Sequence, residues 1–233
     1  MVKIDIPKEV LEVAQMLEKA GFEAYLVGGC VRDILLNREP KDWDIATNAK
    51  PEEIQNIFSS FTGATEDKPA TVYDNEFGTV GIKTGSDDPK LKIVEITTYR
   101  TEDKYTDKRH PDEIKFAKTI EEDLSRRDFT INALALKPET WSMKHKTEEG
   151  DLKSFTLHAS RFKITDPFNG QKDLENKIIK TVGQSEDRFN EDALRLMRAV
   201  RFAAELGFEI EEKTLASIKK QSGLLEMIAK ERI

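Results

Sequence analysis

Asp42 and Asp44 stand two residues apart in the run Asp42-Trp43-Asp44-Ile45-Ala46. On a strand, such residues point to one face, so the two carboxylates can converge on shared cations. Oxygen ligands of this kind suit Mg²⁺, which keeps coordination positions for substrate phosphates. Two metal ions roughly 4 Å apart activate an attacking hydroxyl and stabilise a leaving pyrophosphate. Upstream, Gly28-Gly29 lets backbone approach a ligand closely, and the helix expected after it offers N–H donors to phosphate. Arg32, in the first turns of that helix, adds charge-assisted hydrogen bonds. An ordinary tight turn, with Asp42 and Asp44 exposed beside Lys41, accounts for the same residues without chemistry. Glu95 lies in the apolar run Ile93-Val94-Glu95-Ile96, where a carboxylate is costly unless it meets water, a cation or a metal. It is either a third carboxylate beside the metals or an outward edge residue paired with a lysine.

A second constellation is Arg126-Arg127-Asp128-Phe129-Thr130-Ile131-Asn132-Ala133-Leu134. Arg127 suits a triphosphate, and Asp128 can accept from a ribose hydroxyl, which favours ribonucleotides. A helix start with surface ion pairs is the plain alternative. A third runs from Arg188 to Phe202. Asp192 and Arg195 are three apart and are expected to be neighbours on one helix. Arg195, Arg198 and Arg201 continue the row, so they need anions or acids nearby, and Glu191 serves Arg195 four residues on. This run also reads as a salt-bridged solvated face.

The pair Asp192 and Arg195 permits a sharper reading. A carboxylate accepts hydrogen bonds and a guanidinium donates them. Side by side they match a base edge with an amino donor next to a ring-nitrogen acceptor, as in cytosine and adenine. Guanine and uracil put a carbonyl where the amino group would be, and an unpaired buried polar group costs roughly 1–3 kcal/mol. Such a pair accepts CTP and ATP and rejects GTP and UTP.

The elements that must hold these residues follow from periodicity. Val10, Leu11, Val13, Ala14 and Leu17 mark a helix over 7–20. Strands are expected at 23–27 and 43–46, and helices at 30–36 and 51–58, the latter opening on Pro51 behind Asn48 as cap. Residues 79–82 and 92–98 alternate as strands around a turn at 85–89. Residues 100–119 are polar and read as a mobile loop, and 137–166 as irregular decoration. After Gly183 the pattern is helical: 187–206, 212–221 and from 224 onward. The shift near 180–186 sets expected domains of 1–183 and 184–233. The chain ends at Glu231-Arg232-Ile233, directly after an apolar run, as expected of part of a longer protein.

The chain has 233 residues, 38% hydrophobic and 35% charged, the composition of a folded globular protein. No stretch approaches the roughly 20 apolar residues of a membrane helix, and the start lacks a signal peptide's apolar core. One cysteine, Cys30, excludes an internal disulfide, and a reducing cytoplasm is the expected compartment. The net charge of −7 argues against a uniformly basic nucleic-acid surface, although the arginines are clustered. His110, His145 and His158 have no metal-ligand spacing.

Taken together, Leu26-Val27-Gly28-Gly29-Cys30-Val31-Arg32-Asp33, Asp42-Trp43-Asp44-Ile45-Ala46-Thr47, the Arg126–Leu134 run and Glu191-Asp192-Ala193-Leu194-Arg195 resemble successive motifs of class II tRNA nucleotidyltransferases, the CCA-adding enzymes. Bacterial poly(A) polymerases share the same head. The resemblance implies an α+β head of the polymerase-β nucleotidyltransferase type, with a mixed β-sheet and flanking helices, then an all-α neck. It implies that Asp42 and Asp44 hold catalytic Mg²⁺ and that Gly28, Gly29, Arg32 and Arg127 contact nucleotide. By the same match Asp128 contacts ribose, Asp192 and Arg195 read the base, and Arg198 and Arg201 line the pocket. The substrates implied are CTP, ATP and a tRNA 3′ end. The loop at 100–119 is similar to one linked in the family to adding A, and Glu231-Arg232-Ile233 to the opening of a later neck motif. A poly(A) polymerase and an inactive nucleotide- or RNA-binding head are the alternative outcomes.

Overall fold

The computed structural model describes residues 4–59, 71–74, 78–103, 113–139, 154–157 and 162–228. The three histidines, positions 104–112 of the expected loop, and Glu231-Arg232-Ile233 lie outside the described residues.

In chain order the first elements are β1 (Ile4–Pro7), α1 (Lys8–Lys19), β2 (Tyr25–Val27), α2 (Gly29–Leu35), β3 (Asp44–Thr47), α3 (Pro51–Phe58), β4 (Thr71–Asp74), β5 (Thr79–Lys83) and β6 (Ile93–Thr98). Then come β7 (Arg100–Asp103), β8 (Glu113–Phe116), α4 (Ile120–Ser125), β9 (Ala135–Pro138), β10 (Ser154–Leu157) and β11 (Phe162–Thr165). The last are α5 (Gly170–Glu175), β12 (Ile178–Ile179), α6 (Ser185–Glu191), α7 (Leu194–Leu206), β13 (Glu209–Ile210) and α8 (Glu212–Gln221). Packing groups them into two compact units. One holds Met1–Tyr99, Phe116–Ile120 and Ala135–Thr165; the other holds Arg100–Lys115, Glu121–Leu134 and Asp166–Ile233. This grouping does not follow a single boundary at 183, because 121–134 and 166–183 pack with the later helices.

In the first unit, seven strands among the described residues form one mixed sheet in the order β11-β9-β2-β3-β6-β5-β4. β3 and β6 run parallel, and the other neighbours are antiparallel. The central strand β3 is therefore the one that presents Asp44. α1 buries Val10, Leu11, Val13, Ala14 and Leu17, the set its period predicts. α3 buries Pro51, Ile54 and Phe58. Its first turn is not capped by Asn48: that side chain accepts the Glu23 N–H at 2.8 Å, and Glu53 reaches back to the Lys50 N–H at 2.7 Å. Parts of the expected irregular stretch are strands: β9 and β11 join the main sheet, and β10 pairs with β1. The run Ala135-Leu136-Lys137-Pro138 is too short and too proline-bound to announce itself, so long-range pairing with β2 decides it.

In the second unit, the expected helix 187–206 is broken. α6 ends at Glu191, and Asp192 is extended at φ −136° and ψ 107°. Its carboxylate accepts the Leu194 N–H at 2.9 Å, so it serves the start of α7 rather than continuing α6. An aspartate side chain competes with the backbone for N–H donors in this way. Ser222–Met227 is a 3₁₀ turn rather than the opening of a further α-helix. Its Leu224 and Leu225, with Ile218 and Ile228, pack on Phe189, Ala193 and Leu196. The expected mobile loop begins and ends in strands, β7 and β8, which pair with each other.

Candidate active site

The carboxylates of the first unit are placed by backbone register. Asp44 on β3 is directly opposite Glu95 on β6, and Glu95 is opposite Gly81 on β5. Paired strands lie about 4.8 Å apart, and in-register side chains share a face. Burial along β6 alternates, with Glu95 half-buried between the buried Val94 and Ile96. Asp44 is half-buried and Asp42, at a bend two residues earlier, is exposed. The sheet thus places Glu95 beside the D-x-D, although it sits 51 positions beyond Asp44 in the chain.

These donors are all oxygen, the chemistry a hard divalent cation prefers. Among the described residues no three His, Cys, Asp or Glu side chains are gathered as a metal-holding group. What the sheet does bring together is the in-register carboxylate pair Asp44 and Glu95, with Asp42 two residues before Asp44. It fits a cation that retains water and phosphate oxygens.

Beside it, Gly28 has φ 73° and ψ −131°, a conformation reserved for glycine, and its carbonyl accepts the Arg32 N–H at 3.2 Å. The turn places Gly29 at the first position of α2. Arg32 does not extend freely: its Nε and Nη2 both bond to Asp33 Oδ1, at 2.9 and 2.8 Å. Cys30 is buried, and its thiol donates to the Val27 carbonyl at 3.1 Å, consistent with core filling.

The other candidate residues lie in the second unit and are held by each other. Asp128 is buried. Its Oδ1 accepts the Phe129 N–H at 2.8 Å and the Asn132 amide at 3.3 Å. Its Oδ2 receives Nε and Nη2 of Arg198, both at 2.7 Å. Burial alone would raise the Asp128 pKa. The Arg198 charge and hydrogen bond, the Phe129 N–H and the Arg195 charge outweigh it and hold the carboxyl below its usual range. Arg195 is buried, with Nη1 on Glu191 at 2.6 Å and Nη2 on the Arg126 carbonyl at 3.3 Å. Arg201 is exposed, and both it and Arg198 lie 5.2 Å from the Phe202 ring centre. Two of the row therefore find acids, Arg195 in Glu191 and Arg198 in Asp128. Asp192 and Arg195 are neighbours across the start of α7, where the Arg195 N–H donates to the Asp192 carbonyl at 3.0 Å.

Sequence reasoning missed Asp123, whose carboxylate is fully buried and joins Arg126 and Arg127, and Glu102, which joins Arg100 and Arg126. The signal was present in Glu121-Glu122-Asp123: an acid three and four residues before two arginines is at helical pairing distance.

Residues 24–180 match the family model described as the poly A polymerase head domain, and 207–233 match that described as the probable RNA and SrmB-binding site of polymerase A. The chain belongs to the poly A polymerase head-domain family. Within it, the chain is 43% identical over 231 residues to the CCA-adding enzyme of Listeria monocytogenes serovar 1/2a, covering 98% of this chain and 49% of that protein. A crystal structure of the Bacillus stearothermophilus CCA-adding enzyme in complex with CTP superposes with a TM-score of 0.72 at 39% identity, covering 97% of this chain and 46% of that one. A tRNA nucleotidyltransferase complexed with a primer tRNA and an incoming ATP analog gives 0.65 at 29% identity, covering 94% and 53%. The chain spans about half the length of the curated relatives it matches. The α+β class, the mixed sheet and the flanking helices expected from sequence agree with this family and these neighbours.

Proposed function

We propose that this chain is the catalytic and nucleotide-selecting part of a tRNA nucleotidyltransferase that adds CCA, or part of it, to the tRNA 3′ end. CTP and ATP are the substrates, pyrophosphate is released, and no nucleic-acid template is used. The observation that carries the reading is the in-register pair Asp44 and Glu95, with Asp42 two residues before it, in a chain similar along 97% of its length to a CCA-adding enzyme in complex with CTP. The reading divides the chain as a catalytic head, 1–183, and a helical neck, 184–233. No helix among the described residues is long and apolar enough to cross a membrane; the cytoplasm, where tRNA is processed, is the proposed site of action.

Divalent metal is the cofactor class that the oxygen donors suit, and Mg²⁺ is the proposed ion, held by Asp42 and Asp44 with Glu95 beside them. When bound it supplies Lewis acidity to the attacking 3′ hydroxyl and to the phosphates. The chain's own groups do the rest. Gly28, Gly29 and Arg32 bind phosphate, Arg127 adds a further cation, and Asp128 receives the ribose. Asp192 and Arg195 select cytosine and adenine by offering an acceptor beside a donor, and Arg198 and Arg201 border that selection.

The test is single-nucleotide incorporation with Mg²⁺, offering CTP, ATP, UTP or GTP separately to tRNAs ending before CCA, after C and after CC. Two C additions, then one A and a stop, are expected. A alone on the CC-ending tRNA identifies an A-adding specialist, and long A tracts on any RNA a poly(A) polymerase. Binding of CTP and ATP without incorporation overturns the catalytic reading in favour of a nucleotide-binding head.

A further inference from the structure

We propose that Asp123 is a positioning residue, whose buried carboxylate sets the orientation in which Arg127 meets the nucleotide. The inference rests on the reading of Arg127 as a nucleotide contact. Asp123 divides its two oxygens between neighbouring arginines. Oδ1 accepts from Arg126 Nε at 3.0 Å and Nη2 at 2.9 Å, and from the Arg100 N–H at 3.3 Å. Oδ2 accepts from Arg127 Nη2 at 3.3 Å.

The two arginines are held very differently. Arg126 is engaged at all three nitrogens, because Nη1 bonds to Glu102 at 3.0 Å, and Glu102 also receives Arg100 Nε at 2.8 Å. Arg127 bonds to Asp123 through Nη2, at the longer distance, and among the described residues its buried Nε has no hydrogen-bond partner. A buried donor without an acceptor is costly, and such groups are rare unless a ligand or ion completes them. Among the described residues Glu102 joins Arg100 and Arg126, and Asp123 joins Arg126 and Arg127. Of the two arginines that Asp123 joins, Arg126 also pairs with Glu102, whereas Arg127 pairs with Asp123. A guanidinium is planar and rigid, so a carboxylate that holds one of its nitrogens restricts where the others can point. A triphosphate oxygen is the acceptor that a fork bonded through Nη2 and carrying a buried donor to spare suits.

Arg126 therefore anchors Asp123, and Asp123 aims Arg127. Burial by itself would push the Asp123 carboxyl up, but Arg126 and Arg127 outweigh it and keep it below the usual carboxylate range. It stays ionised wherever the protein is folded near neutral pH.

The experiment is a double-mutant cycle on CTP affinity, measured by calorimetry with the full chain and Mg²⁺: wild type, Asp123→Asn, Arg127→Ala and the double variant. Asp123→Asn keeps the shape and removes the charge. It is expected to weaken CTP binding about tenfold, and the double variant to bind no worse than Arg127→Ala. In incorporation, KM for CTP rises while kcat at saturation holds. Additive losses, or CTP affinity unchanged in Asp123→Asn, overturn the positioning role and leave the nucleotidyltransferase reading intact. No CTP or ATP binding by the wild type overturns both. If Asp123→Asn does not fold, Asp123→Glu carries the test, because it keeps the charge that the arginines need and displaces it by one methylene. A folded Asp123→Glu with CTP affinity weakened at least threefold supports the role, and wild-type affinity overturns it.

Discussion

The acids of the first unit and the acids of the second are positioned by different means. Asp44 and Glu95 face each other because β3 and β6 pair in one register, so main-chain hydrogen bonds hold them in place. Asp123 and Asp128 are buried within α4 and the turn after it, and side chains hold them: Arg126 and Arg127 for one, Arg198 for the other. Where backbone sets the geometry, a side chain can be exchanged at little cost in stability and its loss is read in chemistry. Where charged side chains set each other, activity and stability fall together, because removing one member strands another in low dielectric.

Asp42→Ala is the strongest test of the first half of that contrast. Asp42 is exposed at a bend, so its removal should leave thermal stability within about 0.5 kcal/mol. If Asp42 holds metal as proposed, incorporation of CTP into tRNA should fall at least about a thousandfold, since metal positioning affects the transition state directly. Activity near wild type would remove the metal assignment. Glu95→Gln comes next. It keeps size and hydrogen bonding but not charge, and the expected result is a fall of about tenfold to a hundredfold with a raised Mg²⁺ requirement in a metal titration. An unchanged Mg²⁺ requirement would return Glu95 to the role of an edge residue.

Arg198→Ala probes the second half. Asp128 is buried while Arg198 is about two-fifths exposed, so the cost is smaller than for a fully buried pair, about 2 kcal/mol at neutral pH. The pH dependence has a definite sign. The folded pKa of Asp128 is depressed, so its contribution to stability is fully present above the unfolded value, about 3.9, and is lost as pH falls through the lower folded value. Denaturant melts across pH should therefore show the gap between wild type and Arg198→Ala widest near pH 7 and closing below about pH 4. A gap constant with pH would mean that packing of Arg198 on Phe202, and not its charge, matters.

Gly170→Ala is expected to cost a similar amount by a different route. A Cβ at Gly170 would overlap the Thr130 carbonyl, with Leu134 also close, in a turn where the Thr130 hydroxyl already donates to Asp173 at 2.6 Å. Backbone must shift to admit the methyl, at about 1–3 kcal/mol, read as a lower denaturation midpoint. Because Thr130 lies two residues after Asp128, the substitution should also weaken CTP binding.

Legibility from sequence divides along the same line. Helix α1, strands β3 and β6 and the pairing potential of Asp42 and Asp44 follow from periods of 3.6 and 2, because one buried face is enough to write such a pattern. The partner strand of Asp44 is not in the pattern: Glu95 reads as an isolated charge in an apolar run until the parallel pairing is known. β9 and β11 were illegible for the same reason, since neither alternates long enough without its neighbour. The break at Asp192 was hidden because Glu191-Asp192-Ala193-Leu194 contains no glycine or proline, and the interruption is made by a side-chain cap. The buried network around Asp123 was half legible. Its spacing to Arg126 and Arg127 is local, whereas Glu102 and the Arg100 N–H arrive from a strand more than twenty residues earlier.

Charge pairing alone does not define the second unit's behaviour, and the smallest expected effect shows why. Lys220 and Glu186 make an ion pair at 2.9 Å, as short as that of Arg126 with Asp123, but their side chains are 68% and 53% exposed. Water already solvates both groups, and the pair gains little over two hydrated ions while restricting a flexible lysine. Lys220→Ala should change stability by less than about 0.5 kcal/mol and leave CTP affinity as it is, measured beside Arg198→Ala in the same buffer. Raising salt should erase the remaining difference for Lys220 and leave most of that for Arg198. A Lys220→Ala penalty as large as that of Arg198→Ala would show that burial is not what separates the two kinds of pair, and the contrast between a backbone-set and a charge-set region would fail with it.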